Sequence, residues 1–284
     1  MNRRIYNWKC GKHTLQLGEK TRVMGILNVT PDSFSDGGDF VDPDDAVKRA
    51  LQMVEEGADI IDIGGESTRP GAAPVSVEEE IKRTVPVIKK LRAQSDVLIS
   101  IDTMKSETAL RALEAGANII NDVSGFEADP KMLDVAAESG AGVILMHMKG
   151  TPQTMQDNPT YEDAVGEVLH YLEERIAFAV RGGVRRECIV VDPGIGFGKT
   201  LEHNLQLLRG IPDLGKSAPV LIGASRKSMI DKLLDREDPN QRGAGSLGIA
   251  GWSAALGAHI LRVHDVIDTC DVCRIVDTLC IGEL

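Results

Sequence analysis

The chain has 284 residues, 42% of them hydrophobic, a size at which one domain buries roughly 75% of its unfolded surface. A formal net charge of −11 at pH 7 argues against nucleic acid or an anionic membrane as partner, and any anionic substrate must be held by a local cluster of cations. No apolar run reaches the length of a membrane span, residues 1–17 lack a signal-peptide core, and five cysteines without framework spacing fit a reducing cytosol.

In chain order, residues 5–8 and 14–17 read as a short hairpin turned at Gly11. This N-terminal β-hairpin, within residues 1–20, is expected to close the bottom of a barrel built from the rest of the chain. Eight apolar, β-branched runs come next: 23–27, 60–63, 97–101, 119–120, 143–146, 189–191, 220–222 and 260–263. They are continuous rather than alternating, as strands buried on both faces should be. Each ends in polar residues: Asn28, Asp62 to Glu66, Asp102, Asn121 with Asp122, His147, Asp192, Ser225, and Arg262 with His264. Stretches of helical period separate the runs. The pattern predicts an α/β chain, a single (β/α)8 TIM barrel over residues 1–284, whose C-terminal mouth collects all the polar tips of an enzyme site.

Four helix-to-strand junctions share a spelling: Gly57-Ala58-Asp59-Ile60, Gly116-Ala117-Asn118-Ile119, Gly140-Ala141-Gly142-Val143 and Gly257-Ala258-His259-Ile260. Each glycine is expected to end a helix in the left-handed conformation. Two other patterns are decoys. Cys270 and Cys273 have a redox or zinc spacing but no second pair, and with Val266, Ile267 and Cys280 they fit an apolar helix stripe. The stretch from Gly194 to Thr200 suggests a phosphate loop, yet Pro193 stands where its first glycine is required, so a flexible loop admitting a flat ligand to the backbone is expected.

Met24-Gly25-Ile26-Leu27-Asn28-Val29-Thr30-Pro31-Asp32-Ser33-Phe34 and Gly64-Gly65-Glu66-Ser67-Thr68-Arg69-Pro70-Gly71 resemble the first two signatures of the dihydropteroate synthases. Ile101-Asp102-Thr103, Ile120-Asn121-Asp122, Met146-His147-Met148, Asp192-Pro193-Gly194, Ser225-Arg226-Lys227-Ser228 and Arg262-Val263-His264 continue the match in order. The resemblance implies a (β/α)8 barrel joining 6-hydroxymethyl-7,8-dihydropterin pyrophosphate to p-aminobenzoate, with release of pyrophosphate. It assigns the pterin to Asp102, deep in the barrel, and to Asn121, Met146, Asp192, Gly196, Lys227 and Arg262. The types fit: a carboxylate such as Asp192 accepts a guanidine-like edge in a fork, and Asn121 can both donate and accept. Arg262 and Met146 would sandwich the ring.

For p-aminobenzoate the resemblance implies a slot of Phe34, Thr68, Arg69, Pro70, Phe197 and Ser228, walled by Lys227; for pyrophosphate it implies Asn28, Thr68, Arg262 and His264. Mg²⁺ is the implied cofactor, with Asn28 and, less directly, Asp36 as ligands. His147 receives no catalytic role. The attacking arylamine is already neutral at pH 7, so a dissociative substitution is expected, with Asp102, Lys227, Arg262 and His264 as the catalytic set. Loops 30–39 and 66–75 exceed ordinary βα turns and read as lids that are poorly ordered when empty. A cytoplasmic homodimer pairing through the small-residue stretch 243–257 is the family expectation. Two other readings remain: a methyltetrahydrofolate-dependent methyltransferase domain, which has no use for Ser225-Arg226-Lys227-Ser228, and a non-catalytic pterin-binding paralogue.

Overall fold

The computed structural model describes residues 3–30, 42–67, 71–151 and 153–281. The hairpin β1 (Tyr6–Cys10) and β2 (His13–Leu17) precedes a repeat of β3 (Arg22–Asn28), α1 (Pro43–Glu55), β4 (Ile60–Gly64), α2 (Val77–Arg92), β5 (Leu98–Asp102), α3 (Ser106–Glu114), β6 (Ile119–Asp122) and α4 (Met132–Ser139). The repeat continues through β7 (Gly142–Met146), α5 (Ala164–Arg181), β8 (Ile189–Asp192), α6 (Leu201–Arg209), α7 (Ile211–Leu214), β9 (Leu221–Ile222), α8 (Ser228–Leu234), α9 (Gly243–Ala255), β10 (Ile260–Val263) and α10 (Val266–Ile281). The parallel sheet runs in the order β8-β7-β6-β5-β4-β3-β10-β9. A parallel bridge between Val191 and Val220 joins its two ends, so the eight strands close into the expected barrel. No described helix is long and apolar enough to cross a membrane.

Strand residues buried on both faces divide by their period of two. Ile61, Ile63, Ile99, Ile101, Val143 and Leu145 pack outward against the helices. Met24, Ile60, Leu98, Ile119, Ile144, Val190, Leu221 and Ile260, one from each strand, fill the bottom of the barrel with Trp8, Cys10 and Leu17 of the hairpin. The hairpin is therefore the plug that the sequence suggested. Trp8 is fixed there by its indole N–H, which donates to the Cys188 carbonyl at 2.7 Å.

The repeated junctions are as expected, with φ of 105°, 115°, 62° and 96° at Gly57, Gly116, Gly140 and Gly257. Their later position has a function of its own. Asp59, Asn118 and His259 each give a backbone N–H to a residue of the neighbouring strand, Val23, Ile99 and Val220, and accept that residue's N–H on the side chain. Those paired bonds set strand register at the barrel bottom. Gly142 departs from the pattern because a Cβ there would stand 2.7 Å from Cys10 Sγ and 3.1 Å from the Trp8 ring. The plug has taken the space.

On α10 the apolar stripe is narrower than expected. Val266 and Cys273 are buried, but Ile267 is 55% exposed, because one residue along a helix turns about 100° away. The inward face runs through 266, 269, 270, 273 and 277 instead and is only partly apolar. Its last member, Asp277, accepts from Thr21 N and Oγ1 at 2.6 and 2.8 Å and pairs with Arg3 at 2.7 Å, tying the last helix to the start of the chain.

Candidate active site

Two residues above the apolar bottom, the inward positions of successive strands are Ile26, Asp62, Ser100, Asn121, Met146, Asp192, Gly223 and Arg262. A further step up come Asn28, Gly64 and Asp102, the last residues of β3, β4 and β5. The barrel interior thus changes from apolar to charged within one pleat.

Arg262 Nε donates to Asp62 Oδ2 and its Nη2 to Asp102 Oδ2, both at 2.6 Å. Asn121 Nδ2 donates to the same Asp62 oxygen at 3.1 Å. The deep carboxylate is therefore Asp62, not Asp102: register pairs Asp62 with Ser100 and Asp102 with Gly64, one pleat nearer the mouth. Asp62 Oδ1, Asp102 Oδ1 and Ser100 Oγ are buried with no partner among the described residues. Buried acceptors left this way suit a ligand that brings N–H groups.

Asp192 Oδ1 accepts the Gly194 N–H at 2.7 Å. A Cβ on Gly223 would lie 3.8 Å from both Asp192 Oδ2 and Arg262 Cδ, so the missing side chain keeps open the space between the two. Met146 sits in register with Asp192. Lys227 reaches over from the turn after β9: its Nζ donates to the Ile195 carbonyl and stands 4.3 Å from the centroid of the Phe197 ring, beside Gly196.

Burial pushes the Asp102 carboxyl up to about 7, opposed by Arg262 and assisted by Asp62 and Glu80. Burial raises Asp192 as well, against the pull of Lys227 and the Gly194 N–H. The Lys227 ammonium is pushed down to about 8 by burial, with Asp192 working the other way. For Arg262, burial would lower the pKa, but Asp62 and Asp102 outweigh it and hold the guanidinium above its ordinary value. Among the described residues, the permanent cation Arg262 thus stands beside two groups, Asp102 and Lys227, that titrate near neutrality.

Ser225 Oγ lies 2.9 Å from His264 Nδ1 and accepts the His264 backbone N–H at 3.3 Å. Both contacts run through the same hydroxyl, which fixes the ring of His264 against the turn after β9. His147 packs between the loops after β7 and β8. Its Nδ1 is 2.9 Å from Lys199 Nζ, and burial lowers it to about 3, so it stays neutral. Lys199 also donates to the carbonyls of His147 and Phe197 at 3.3 and 2.8 Å, closing the loop after β8 onto the loop after β7.

That closure corrects the reading of the glycine-rich loop. A Cβ at Gly194 (φ 68°) would stand 1.9 Å from the His147 carbonyl oxygen, and one at Gly198 (φ 65°) 2.4 Å from that of Lys149. Those glycines let two backbones approach each other; Gly196, against Lys227, is the member beside the ligand space. Asp122 is structural, its oxygens accepting from Ser124 N, Ser124 Oγ and Phe126 N at 2.8, 2.7 and 3.1 Å.

Asn28, Asp102, Asn121, Met146, Asp192, Gly196, Phe197, Lys227, Arg262 and His264 are thus grouped at the C-terminal mouth, with Ser228 exposed in the first turn of α8. Phe34, Asp36, Thr68, Arg69 and Pro70, with most of the first expected lid and the centre of the second, lie outside the described residues. Asp62, Ser100 and Ser225 went unassigned in the sequence. Counting in twos from Ile60 and Leu98 would have placed Asp62 and Ser100 on the inward face.

Residues 24–264 match the family model described as pterin binding enzyme. The chain is 50% identical to the dihydropteroate synthase of Escherichia coli strain K12 over 256 residues, 90% of each chain. It is 48% identical to that of Synechocystis over 270 residues, 95% of this chain and 93% of the other. The solved dihydropteroate synthase of Xanthomonas albilineans with 4-aminobenzoic acid superposes with a TM-score of 0.90 at 45% identity, covering 97% of this chain and 98% of that one.

Proposed function

This chain belongs to the pterin-binding enzymes, among the dihydropteroate synthases, and from that we infer that it joins 6-hydroxymethyl-7,8-dihydropterin pyrophosphate to p-aminobenzoate, giving 7,8-dihydropteroate and pyrophosphate. It is a transferase of folate synthesis. One observation carries the reading at this chain's own residues: Asp62, Asp102, Asn121, Asp192, Lys227 and Arg262 converge on a single mouth, where Asp62 and Asp102 each keep a carboxylate oxygen with no partner among the described residues.

The pterin's amino and ring N–H groups are donors, and Asp192 with the buried oxygens of Asp62 and Asp102 are the acceptors that fit them. Lys227 donates to the ring carbonyl, and Arg262 presents its face to the ring beside Met146. At the outer side His264 presents its ring edge to the departing pyrophosphate. Phe197 and the stem of Lys227 wall the arylamine slot, and Ser228 meets its carboxylate. The bond to pyrophosphate breaks first. Arg262 and His264 take up the charge of the leaving group, while anionic Asp102 stabilises the methylene cation delocalised into the ring. The neutral amine then attacks and loses its proton to solvent.

Asn28 Oδ1 and Asp102 Oδ2 flank Gly64, 3.7 and 3.8 Å from the position of a Cβ there, so the donors at this edge are oxygens, as a hard cation requires. Among the described residues no cluster of His, Cys, Asp or Glu could hold a metal alone. Asn28, with Asp36 by resemblance, would hold Mg²⁺, which when bound offsets the charge of pyrophosphate.

The exposed Trp252, Ile275 and Leu279 on α9 and α10 support a homodimer through those helices. The five cysteines follow no disulfide framework spacing, which supports a reducing cytoplasm.

The test is pyrophosphate release by the wild type and by Lys227→Ala. Both substrates should be required for steady turnover, and the substitution should lower kcat/KM by about two orders of magnitude, the loss of a charged hydrogen bond. A wild type that binds pterin pyrophosphate without turning over would overturn the reading. In single turnover without amine, pyrophosphate release supports the dissociative order; strict dependence on p-aminobenzoate would replace it with concerted displacement.

A further inference from the structure

Between β9 and α8 the backbone turns through Arg226, a non-glycine residue at φ 57°. An L side chain is unfavourable in that region, so its surroundings must hold it there. They do so on every side. The Arg226 N–H donates to Ser246 Oγ at 2.9 Å, and its carbonyl accepts from Arg242 Nη1 at 3.0 Å. Its guanidinium reaches Asp265 through Nε at 3.2 Å and Nη2 at 2.5 Å, and gives Nη1 to Asn240 Oδ1 at 3.0 Å.

The residues on either side belong to the site already described. Ser225 meets His264 at 2.9 Å, and Lys227 reaches the Ile195 carbonyl. Asp265 directly follows His264 in the chain. Residues 225–226 and 264–265 are therefore cross-linked twice in succession, by an uncharged pair at the mouth and by an ion pair behind it.

We propose that Arg226 and Asp265 are a positioning pair for the synthase reaction, locking the strained turn so that Lys227 and His264 are held in one geometry relative to the pterin and its pyrophosphate. The inference rests on the function inferred above. Neither residue is catalytic; they act through their neighbours. Both side chains are 27% exposed, so an ion pair here adds little to global stability. What a planar guanidinium held at two atoms does supply is a fixed angle and distance, which a lysine at the same place would not.

The experiment is a double-mutant cycle on the full chain, measured as kcat with both substrates. The wild type is assayed first, since its activity decides the synthase reading separately from this one. With that activity in hand, Asp265→Asn should lower kcat about tenfold, with the melting temperature within a few degrees of the parent and KM for p-aminobenzoate within about twofold, as expected when two groups lose alignment. Asp265→Glu should recover much of the loss. In a His264→Ala background the same Asp265→Asn change should cost clearly less than tenfold, because one of the two groups it positions is gone. Arg226→Gly, which removes the strain together with the clamp, should be as slow as Asp265→Asn. Equal losses in the two backgrounds, unchanged kcat in Asp265→Asn, or full activity in Arg226→Gly would each overturn the proposal.

Discussion

Asp102 meets Arg262 through one oxygen only: Oδ2 accepts from Nη2 at 2.6 Å, while Oδ1 is buried with no partner among the described residues. A carboxylate left half satisfied in a buried site keeps its proton to an unusually high pH, about 7 here. It is completed when a ligand brings N–H groups or positive charge.

The pH profile should follow from this residue and Lys227. Asp102 becomes an anion as pH rises through about 7, and Lys227 loses its proton as pH rises through about 8. kcat/KM for the pterin substrate should therefore form a narrow bell between those values. Asp102→Asn should lower the rate and abolish the acid limb. Stability has the opposite sign on that side. A carboxyl whose folded pKa lies above its ordinary 3.8 favours the folded state at low pH, and that contribution is lost as pH rises toward about 7. Melting curves of the unliganded enzyme should show the decline, reduced in Asp102→Asn.

Asp62→Asn tests the deeper carboxylate. Asp62 Oδ2 accepts from both Arg262 and Asn121, so losing its charge should weaken pterin binding by roughly 10- to 100-fold, the scale of one charged hydrogen bond. Calorimetric titration with the pterin substrate reads it. Because Asp62 helps raise Asp102, the acid limb should also move to lower pH. Unchanged affinity would remove Asp62 from the pocket.

The plug should matter for stability and not for chemistry. Trp8 is 1% exposed at the barrel bottom, remote from the mouth, and Trp8→Ala should cost about 3–5 kcal/mol through the cavity it leaves. Denaturant unfolding measures that cost. Folded Trp8→Ala enzyme at low temperature should keep the parent's KM values.

Asn28→Ala should raise the Mg²⁺ concentration needed for half-maximal rate by about tenfold, consistent with the loss of one oxygen ligand. KM for p-aminobenzoate should stay unchanged. A metal dependence equal to that of the wild type would place the cation elsewhere.

The sequence was most readable where one residue type has one physical use. The glycines at 57, 116, 140 and 257 mark left-handed helix ends, and continuous apolar runs mark strands buried on both faces. Strand tips were legible because a polar residue that ends such a run must meet a ligand or a partner. Asp62 was harder, since it lies within a run, and only its inward register beside Ser100 shows what it does. Arg226 carried no local signal. Its conformation depends on Asp265, Asn240, Arg242 and Ser246, which come together only when the barrel closes. The loop glycines misled for a related reason: from sequence alone, a backbone approached by a ligand and one approached by another backbone look the same.

The most direct measurement is the identity and stoichiometry of the products when enzyme, pterin pyrophosphate, p-aminobenzoate and Mg²⁺ are combined, followed by mass spectrometry and a phosphate count. Dihydropteroate and pyrophosphate should form in equal amounts, and only with both substrates present. Tight pterin binding with neither product formed would contradict the assignment and make this mouth a binding site without chemistry.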